Sequence, residues 1–300
     1  MQEDRSRAVA PPAVVAEIGC NHKGDMAIAR ELVRSAAAFA GATYAKFQKR
    51  TNRELLSAAE YAAPHPNPAN SYGATYGEHR EFLEFDREQH RDLMAWCAEL
   101  GVGYACSVWD LTAAGDIVAL EPDYIKVPSA CNLDRRLLGY LADEYGGGLH
   151  VSLGMTSARE EAELVDFLER RGAAVRTVLY ACTSGYPVPH ADVCLREITR
   201  LEAEYGGRVE AIGFSGHHLG IALDVAAQTL GARWIERHFT LDRTWKGTDH
   251  AASLEPDGLR RLVRDTVAVA AALHAKPTDI LPIEEPQRAK LKRLPGVHVT

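Results

Sequence analysis

Apolar runs and amphipathic stretches alternate along the chain. Short apolar runs bounded by turn residues predict strands, and longer stretches with apolar residues three and four positions apart predict helices. The predicted strands cover residues 14–19, 44–48, 103–107, 124–127, 150–153, 177–182, 209–214 and 233–239. The main predicted helices cover residues 26–40, 87–100, 133–145, 157–171, 192–205, 219–230 and 256–274.

Eight strands in this alternation predict an α/β fold, a (β/α)8 TIM barrel over residues 13–278. A doubly wound sheet is the alternative, but no G-x-G-x-x-G sequence joins a strand to a helix, which is weak evidence against a dinucleotide-binding fold. A long insertion after the second strand breaks the rhythm. Residues 50–86 are rich in Pro, Asn, Gly and Tyr, and their aromatic content predicts an ordered lid or a subunit contact.

The composition is that of an ordinary water-soluble protein. The 300 residues carry a net charge of −7, which gives no indication of nucleic-acid or membrane binding. No apolar run is long enough to span a bilayer. Residues 1–12 lack an export signal and read as a flexible tail, and residues 279–300 read as a linker-like tail. Six scattered cysteines without a C-x-x-C pair indicate reduced thiols, so we expect a cytoplasmic protein.

Candidate chemistry lies where barrel strands end and the following loops begin. The eighth strand places Glu236 and His238 on one face and Ile235 and Arg237 on the other, because side chains alternate along a strand. Charged groups on an inner face must be paired or ligated. Since the seventh strand delivers His217 to the same end, a two-histidine metal site is favoured over a histidine satisfied in the core.

Two lysines reach the same rim. Lys46 ends the second strand and Lys126 the fourth. Each alone could extend to solvent or pair with a glutamate, but two buried cations need anions to offset them. Glu17, Glu236 or a bound phosphate would serve, and lysines with hydroxyl groups are suitable phosphate ligands. The other strand-end candidates are Asn21, Gln48, Ser129, Ser152, Ser184, Tyr186 and Ser215, with Asp249 in the last loop.

These motifs resemble the N-acetylneuraminate (sialic acid) synthase family, within the phosphoenolpyruvate-dependent sugar-acid synthases. The matching pieces follow the family order over nearly the whole chain. They are A-E-I-G-C-N-H-K-G-D (16–25), A-K-F-Q (45–48), I-K-V-P-S (125–129), C-T-S-G-Y-P (182–187), G-F-S-G-H-H-L-G (213–220), I-E-R-H-F-T-L-D-R (235–243) and D-H-A-A-S-L-E-P (249–256).

The resemblance implies a TIM barrel and a reaction. Phosphoenolpyruvate and an aldehyde sugar, usually an N-acylated hexosamine, give a 2-keto-3-deoxy sugar acid and phosphate, with Mn²⁺ or Mg²⁺ as cofactor. The resemblance makes His217 and His238 the metal ligands. It assigns the anionic groups of phosphoenolpyruvate to Lys46, Lys126, Ser129, Ser152, Ser184 and Ser215. We place Glu17, Tyr186, Glu236 and Asp249 in the catalytic group, and Asn21 and Gln48 in substrate binding. A homodimer is possible.

Three features depart from the family pattern. Cys131 stands where members commonly carry an acidic residue two positions after the serine of K-x-x-S. Gly216 stands where the seventh strand usually reads S-D-H. We also expect a single-barrel member without the family's C-terminal antifreeze-like domain, in which residues 50–86 take over its role toward the sugar. The hypothesis that follows is an aldehyde other than N-acetylmannosamine.

Two other functions remain open on the same fold. A Schiff-base aldolase or lyase would use Lys126 or Lys46, and borohydride would trap its lysine adduct. A non-catalytic barrel that binds a sugar phosphate would follow from the carboxylates lost at Cys131 and Gly216. The fold alone does not decide among them.

Overall fold

The computed structural model describes residues 9–293, and eight parallel strands within it close into a barrel. Each strand pairs with the next along the chain, and the first pairs with the eighth. The predicted TIM barrel is therefore confirmed. The strands are β1 (Ala13–Gly19), β2 (Tyr44–Lys49), β3 (Gly103–Val108), β4 (Tyr124–Val127), β5 (Gly148–Ser152), β6 (Thr177–Cys182), β7 (Ala211–Gly216) and β8 (Trp234–His238).

Twelve α-helices lie in the described part of the chain. They are α1 (Met26–Arg34), α2 (Asn52–Leu55), α3 (Ala58–Ala62), α4 (Tyr76–Phe82), α5 (Arg87–Glu99), α6 (Leu111–Val118), α7 (Arg135–Glu144), α8 (Ala158–Arg170), α9 (Arg196–Tyr205), α10 (Ala222–Thr229), α11 (Pro256–Ala272) and α12 (Glu285–Leu291). Among residues 9–293, no helix combines the length and the apolar character needed to cross a membrane.

The structure adds detail that the apolar pattern did not contain. The predicted helix 26–40 is α1 followed by a π-helical turn, Ser35–Ala40. The predicted strand 209–214 begins two residues later and extends to Gly216. Helix α6, which spans eight residues, was not singled out in the sequence. The domain boundaries at 13–278 stay a prediction, and residues 1–8 and 294–300 of the two predicted tails lie outside the described residues.

The insertion at residues 50–86 is ordered into three short helices. Helices α3 and α4 each begin with a capping box, in which Ser57 pairs with Glu60 and Thr75 with Glu78. Such reciprocal bonds satisfy backbone N–H groups that the first helical turn leaves unpaired. The insertion also docks on the loop that follows β8, since the Tyr72 hydroxyl donates to the carbonyl oxygen of Lys246 at 2.5 Å.

Aromatic rings fill the lower interior of the barrel. The Tyr124 and His150 rings stack at 3.7 Å, and the Trp234 ring meets both edge to face. A Cβ atom on Gly213 would lie 2.8 Å from the Tyr180 ring, so only glycine leaves room for this packing. The aromatic layer excludes water below the strand ends and forms the floor on which the site rests.

The outer face of β8 carries a buried ion pair. Arg237 is fully buried and donates to the Asp224 carboxylate of α10, and also to the backbone carbonyl oxygens of His218 and Gly220. Arg237 therefore points away from Glu236 and His238, as the alternation along the strand predicts. The pair ties β8 to α10 directly behind the site.

Arg237→Met should destabilise the fold by about 3–5 kcal/mol, because it leaves the Asp224 carboxylate buried without its cation. Urea unfolding followed by circular dichroism measures the loss. The double variant Arg237→Met/Asp224→Asn should recover part of it. Arg159→Met, which breaks an exposed pair with Glu163, is the matched control and should change little. An Arg237→Met protein as stable as that control would contradict this account.

Candidate active site

A cavity of about 800 Å³ opens at the C-terminal ends of the strands. Its floor is formed by strand ends, and one wall is formed by the insertion at residues 50–86. The cavity brings together nearly all the residues predicted from the sequence. Those that line it are Glu17, Lys46, Gln48, Lys126, Ser129, Ser152, Ser184, Tyr186, Ser215, His217, Glu236, His238 and Asp249.

The register of the strands explains this convergence. Glu17 is aligned with Lys46 on one side and with His238 on the other. Ser215 is aligned with Glu236. Because side chains alternate along each strand, residues aligned across neighbouring parallel strands share one face of the barrel. Residues separated by more than two hundred positions therefore meet in one layer.

Two lysines and two glutamates form a buried charge network in that layer. Lys126 Nζ lies 2.7 Å from Glu236 Oε1, and Lys46 Nζ lies 3.7 Å from Glu236 Oε2. Lys46 also contacts the Glu17 carboxylate and donates to the Ser107 hydroxyl at 2.7 Å. Lys46 and Lys126 are each only 2% exposed. The predicted neutralisation of buried cations by Glu17 and Glu236 is thus what the geometry provides.

The network divides protons unevenly between the two carboxyl groups. Burial raises the pKa of Glu17 to about 7, against the opposing charge of Lys46. Burial would also raise the pKa of Glu236, but the ammonium groups of Lys126 and Lys46 lower it to about 2. Burial lowers the pKa of Lys126, which Glu236 partly offsets. Glu236 is therefore the permanent anion, and Glu17 is a carboxyl group that exchanges its proton near neutral pH.

Hydroxyl groups line the cavity beside the lysines. The Ser129 hydroxyl accepts a hydrogen bond from the Gly154 backbone N–H at 3.0 Å. A Cβ atom on Gly154 would lie 2.4 Å from Ser184 Oγ and 2.7 Å from Ser129 Oγ, so glycine lets both hydroxyl groups pack closely against this backbone. Ser215 donates to Glu236 Oε1 at 3.2 Å. Hydroxyl groups beside ammonium groups suit an oxyanion.

Two histidines face each other at the edge of this charge network. The His217 and His238 rings lie 5.3 Å apart between centroids. His217 Nδ1 donates to the carbonyl oxygen of Thr183 at 3.0 Å, which leaves Nε2 as the unprotonated nitrogen. His238 Nδ1 is buried and has no hydrogen-bond partner among residues 9–293, and the closest acidic oxygen, of Asp249, is 4.0 Å away. Burial lowers the pKa of both rings, so both are neutral ligand donors at pH 7.

Asn21 departs from its predicted role in substrate binding. Its side-chain amide donates to the Phe239 carbonyl oxygen at 2.8 Å and to Ser253 Oγ at 2.9 Å, and it does not line the cavity. Asn21 instead ties the loop after β1 to the loop after β8. Other histidines near strand ends also have packing roles. His22 stacks on Phe85 at 4.0 Å, and His218 contacts Arg237.

Two of the three departures from the family pattern, Cys131 and Gly216, can be placed in the structure. Cys131 does not line the cavity, and its thiol donates to the carbonyl oxygen of Trp109 at 3.3 Å. A Cβ atom on Gly216 would lie 2.8 Å from the Phe214 ring and 2.9 Å from the His218 ring. An aspartate at position 216 would therefore clash in this chain, and its absence leaves the cavity's charges unchanged.

The sequence interpretation missed part of the cavity wall. Arg50, Arg80, Trp109, His65 and His79 line it, on the insertion and after β3. None belongs to a motif with a known chemical role, so only the position of the folded insertion could identify them. Gly154 was missed for a related reason, since its closeness to Ser129 and Ser184 is visible only in the folded barrel.

The chain is similar to known proteins over most of its length. Residues 32–277 match the NeuB family. The N-acetylneuraminate-9-phosphate synthase of Homo sapiens is 37% identical over 288 residues, which cover 94% of this chain and 76% of that protein. The N,N'-diacetyllegionaminic acid synthase of Campylobacter jejuni is 30% identical over 250 residues, 83% of this chain and 73% of that protein.

Solved structures give the same grouping. The N-acetylneuraminic acid (sialic acid) synthetase from Leptospira borgpetersenii, solved in complex with citrate, superposes with a TM-score of 0.79 at 26% identity, over 95% of this chain and 94% of that one. A DAHP synthase from Thermotoga maritima superposes with a TM-score of 0.66 at 14% identity, over 88% of this chain and 72% of that one. At that identity the likeness extends to the fold alone.

His217→Ala and His238→Ala should each weaken Mn²⁺ binding at least about 100-fold, because loss of a direct ligand costs no less than loss of the groups that orient it. Titration calorimetry with Mn²⁺ measures the affinity. His274→Ala, which removes an exposed imidazole, is the matched control. Variants that unfold would indicate core histidines, and unchanged affinity would exclude this pair as the metal site.

Proposed function

The chain belongs to the NeuB family, and we propose that the cavity at its strand ends joins phosphoenolpyruvate to an aldehyde sugar and releases phosphate. The enzyme class expected from the sequence, a synthase of the sialic acid synthase type, is confirmed. The observation that carries the assignment of this cavity is that Lys46 and Lys126 line it together with the hydroxyl groups of Ser129, Ser152, Ser184 and Ser215. An aldehyde would meet it from the side of His217 and His238.

Phosphoenolpyruvate would bind with its phosphate and carboxylate among the lysines and hydroxyl groups. Glu236 contacts both lysines and Glu17 pairs with Lys46, so positive charge becomes available to the ligand when Glu17 takes up a proton. Glu17 supports binding because a pKa of about 7 lets it carry a proton when the anionic ligand arrives. The Ser129 and Ser184 hydroxyl groups line the cavity and contribute neutral donors that need no counter-ion.

The histidine pair fits a divalent metal. His238 Nδ1 is a buried nitrogen without a partner in residues 9–293, and His217 is held in one tautomer by the Thr183 carbonyl oxygen. The described residues contain no cluster of three or more His, Cys, Asp or Glu side chains arranged to hold a metal. His217 and His238 would therefore hold the ion alone and leave positions open for substrate. When bound, a metal supplies Lewis acidity toward a carbonyl oxygen.

The bond changes follow from phosphoenolpyruvate itself. Its carbon 3 forms a bond with the aldehyde carbon, and the aldehyde oxygen takes a proton to become a hydroxyl group. Water adds to carbon 2 and loses a proton, and the bond between carbon 2 and the phosphate oxygen then breaks to give the keto acid. Lys46 and Lys126 stabilise the charge on the leaving phosphate. Glu17 is placed to exchange a proton near pH 7.

We also propose that the metal is Mn²⁺ or Mg²⁺ and that the protein forms a homodimer. Both proposals rest on the family resemblance. A cytoplasmic location is supported by the six cysteines, all of which are free thiols.

A Schiff-base reaction is the second candidate, because burial lowers the pKa of Lys126 toward the neutral amine that such a reaction needs. The contact of its Nζ with Glu236 Oε1 at 2.7 Å opposes this, since it favours the ammonium form. Borohydride treatment in the presence of substrate distinguishes the two. Condensation by our proposal leaves the lysine unmodified, and an adduct on Lys126 would replace it.

The function is tested by measuring the consumption of phosphoenolpyruvate through its ultraviolet absorbance. The protein is first stripped of metal and then supplied with Mn²⁺ or Mg²⁺ and with each of a panel of amino-sugar aldehydes. We expect consumption that requires both metal and one aldehyde. Binding of phosphoenolpyruvate without consumption across the panel would favour a non-catalytic barrel. No binding would remove the proposal.

Gly154→Ala should raise KM for phosphoenolpyruvate by about 10- to 100-fold, because the added methyl group collides with the Ser129 and Ser184 hydroxyl groups and displaces them by the order of 1 Å. Steady-state kinetics with the accepted aldehyde measures it. Gly207→Ala is the matched control, since an added Cβ there has no neighbour within 4 Å among the described residues. Equal KM values for the two variants would mean that these two hydroxyl groups do not hold phosphoenolpyruvate.

A further inference from the structure

One cation in the cavity wall has no counter-ion. Arg80 belongs to α4 of the insertion, is only 7% exposed and lines the cavity. Its guanidinium makes no hydrogen bond or ion pair with any residue that the structure describes, and its Nε atom is completely buried. A buried, unpaired charge costs several kcal/mol in effective terms. Such a group persists when it has a ligand to bind.

The other cations of the cavity differ in this respect. Lys46 contacts Glu17, and Lys126 contacts Glu236. Arg50, the nearest arginine, is held by Glu84, with its Nε atom 2.5 Å from Glu84 Oε1. Arg80 is therefore the cation whose charge is uncompensated, and it lies on the insertion, away from the strand ends that carry the lysines.

The surroundings of Arg80 suit an oxyanion. The Trp109 ring is close to both arginines, with Arg50 at 5.6 Å and Arg80 at 5.9 Å from its centroid. This ring holds the guanidinium in place from one side. The Tyr76 ring lies 5.7 Å from Arg80. No carboxylate among the described residues forms an ion pair with Arg80 and so competes with an incoming anion.

Two histidines of the insertion add neutral donors to the same wall. The backbone N–H of Asn67 donates to His65 Nδ1 at 3.0 Å, and that of Tyr72 donates to His79 Nδ1 at 3.1 Å. Each ring must therefore carry its hydrogen on Nε2. Both histidines line the cavity, and their rings lie 4.4 Å apart. The wall thus offers one forked cation and two N–H donors.

We propose that Arg80, with His65 and His79, binds a phosphate group carried by the aldehyde sugar at the end away from its aldehyde. The substrate is then an N-acyl hexosamine phosphate. This inference rests on the proposed function. A phosphomonoester carries a charge of about −1.5 to −2 near pH 7 and three acceptor oxygens, which match the charge of Arg80 and the donors beside it. The reacting end of the sugar lies at the histidine pair, and the insertion covers the opposite end.

The experiment compares N-acetylmannosamine and N-acetylglucosamine with their own 6-phosphates as partners for phosphoenolpyruvate. The readout is loss of phosphoenolpyruvate, so the sugar's phosphate does not interfere. For the wild type we expect kcat/KM for the phosphorylated form to exceed that for the free sugar by at least about 10-fold, the effect of one charge-assisted hydrogen bond.

Arg80→Met should bring the ratio of the two kcat/KM values close to one while KM for phosphoenolpyruvate stays unchanged. Arg80→Lys should retain part of the preference, because a point charge replaces a fork. Arg53→Met removes an exposed arginine of the same insertion and should keep the wild-type ratio. Arg80→Met leaves no partner unpaired among the described residues, so its unfolding midpoint should not fall.

Distinct outcomes overturn distinct claims. Equal or better use of the free sugar, or an unchanged ratio in Arg80→Met, overturns the phosphate site. If Arg80→Met raises KM for phosphoenolpyruvate and leaves the ratio of the two sugar kcat/KM values unchanged, Arg80 binds phosphoenolpyruvate, and this outcome also overturns the phosphate site. Metal-dependent consumption with no sugar at all overturns the proposed function. Calorimetric binding of N-acetylmannosamine 6-phosphate that Arg80→Met abolishes would then still support the site by itself.

Discussion

Charge neutrality inside the barrel is the constraint on which the site depends. Lys46 and Lys126 are buried above an aromatic floor that excludes water, and the Lys126 ammonium lies 3.8 Å above the Tyr180 ring centroid. Each ammonium group would cost several kcal/mol there without a compensating anion. Glu17 and Glu236 supply that compensation. Because Glu236 contacts both lysines, no member of the network can be lost without leaving a buried net charge.

The same network prepares the site for an anionic substrate. Glu236 remains ionised, whereas burial raises the pKa of Glu17 to about 7. Uptake of one proton by Glu17 therefore turns a neutral site into a cationic one at little cost near pH 7. A site with four fixed charges would have to break an ion pair to admit a phosphate. The unequal pKa values of two carboxyl groups thus let one structure be stable when empty and attractive to an anion.

The sequence predicts best those polar and charged residues of the site that lie at strand ends. The eight strands, the inward direction of Glu236 and His238 and the outward direction of Arg237 all follow from alternation along short apolar runs. Asn21 shows the limit of this reasoning, because a polar residue after a strand serves equally well to tie two loops together. Position along the chain cannot distinguish substrate binding from a contact between loops. The pairing of β1 with β8 distinguishes them, because it brings Asn21 beside the loop after β8.

The cavity wall was beyond sequence reasoning for a different reason. Residues 50–86 follow no strand or helix period long enough to orient their side chains, so the inward direction of Arg80 depends on how three short helices pack against the barrel mouth. That packing places a buried cation beside an aromatic ring and no carboxylate that pairs with it among the described residues. Lys46 and Lys126 are paired with Glu17 and Glu236, whereas Arg80 of the insertion has no such partner among the described residues. The paired lysines are explained by the stability of the fold, and the unpaired Arg80 is explained by a ligand that brings the missing negative charge.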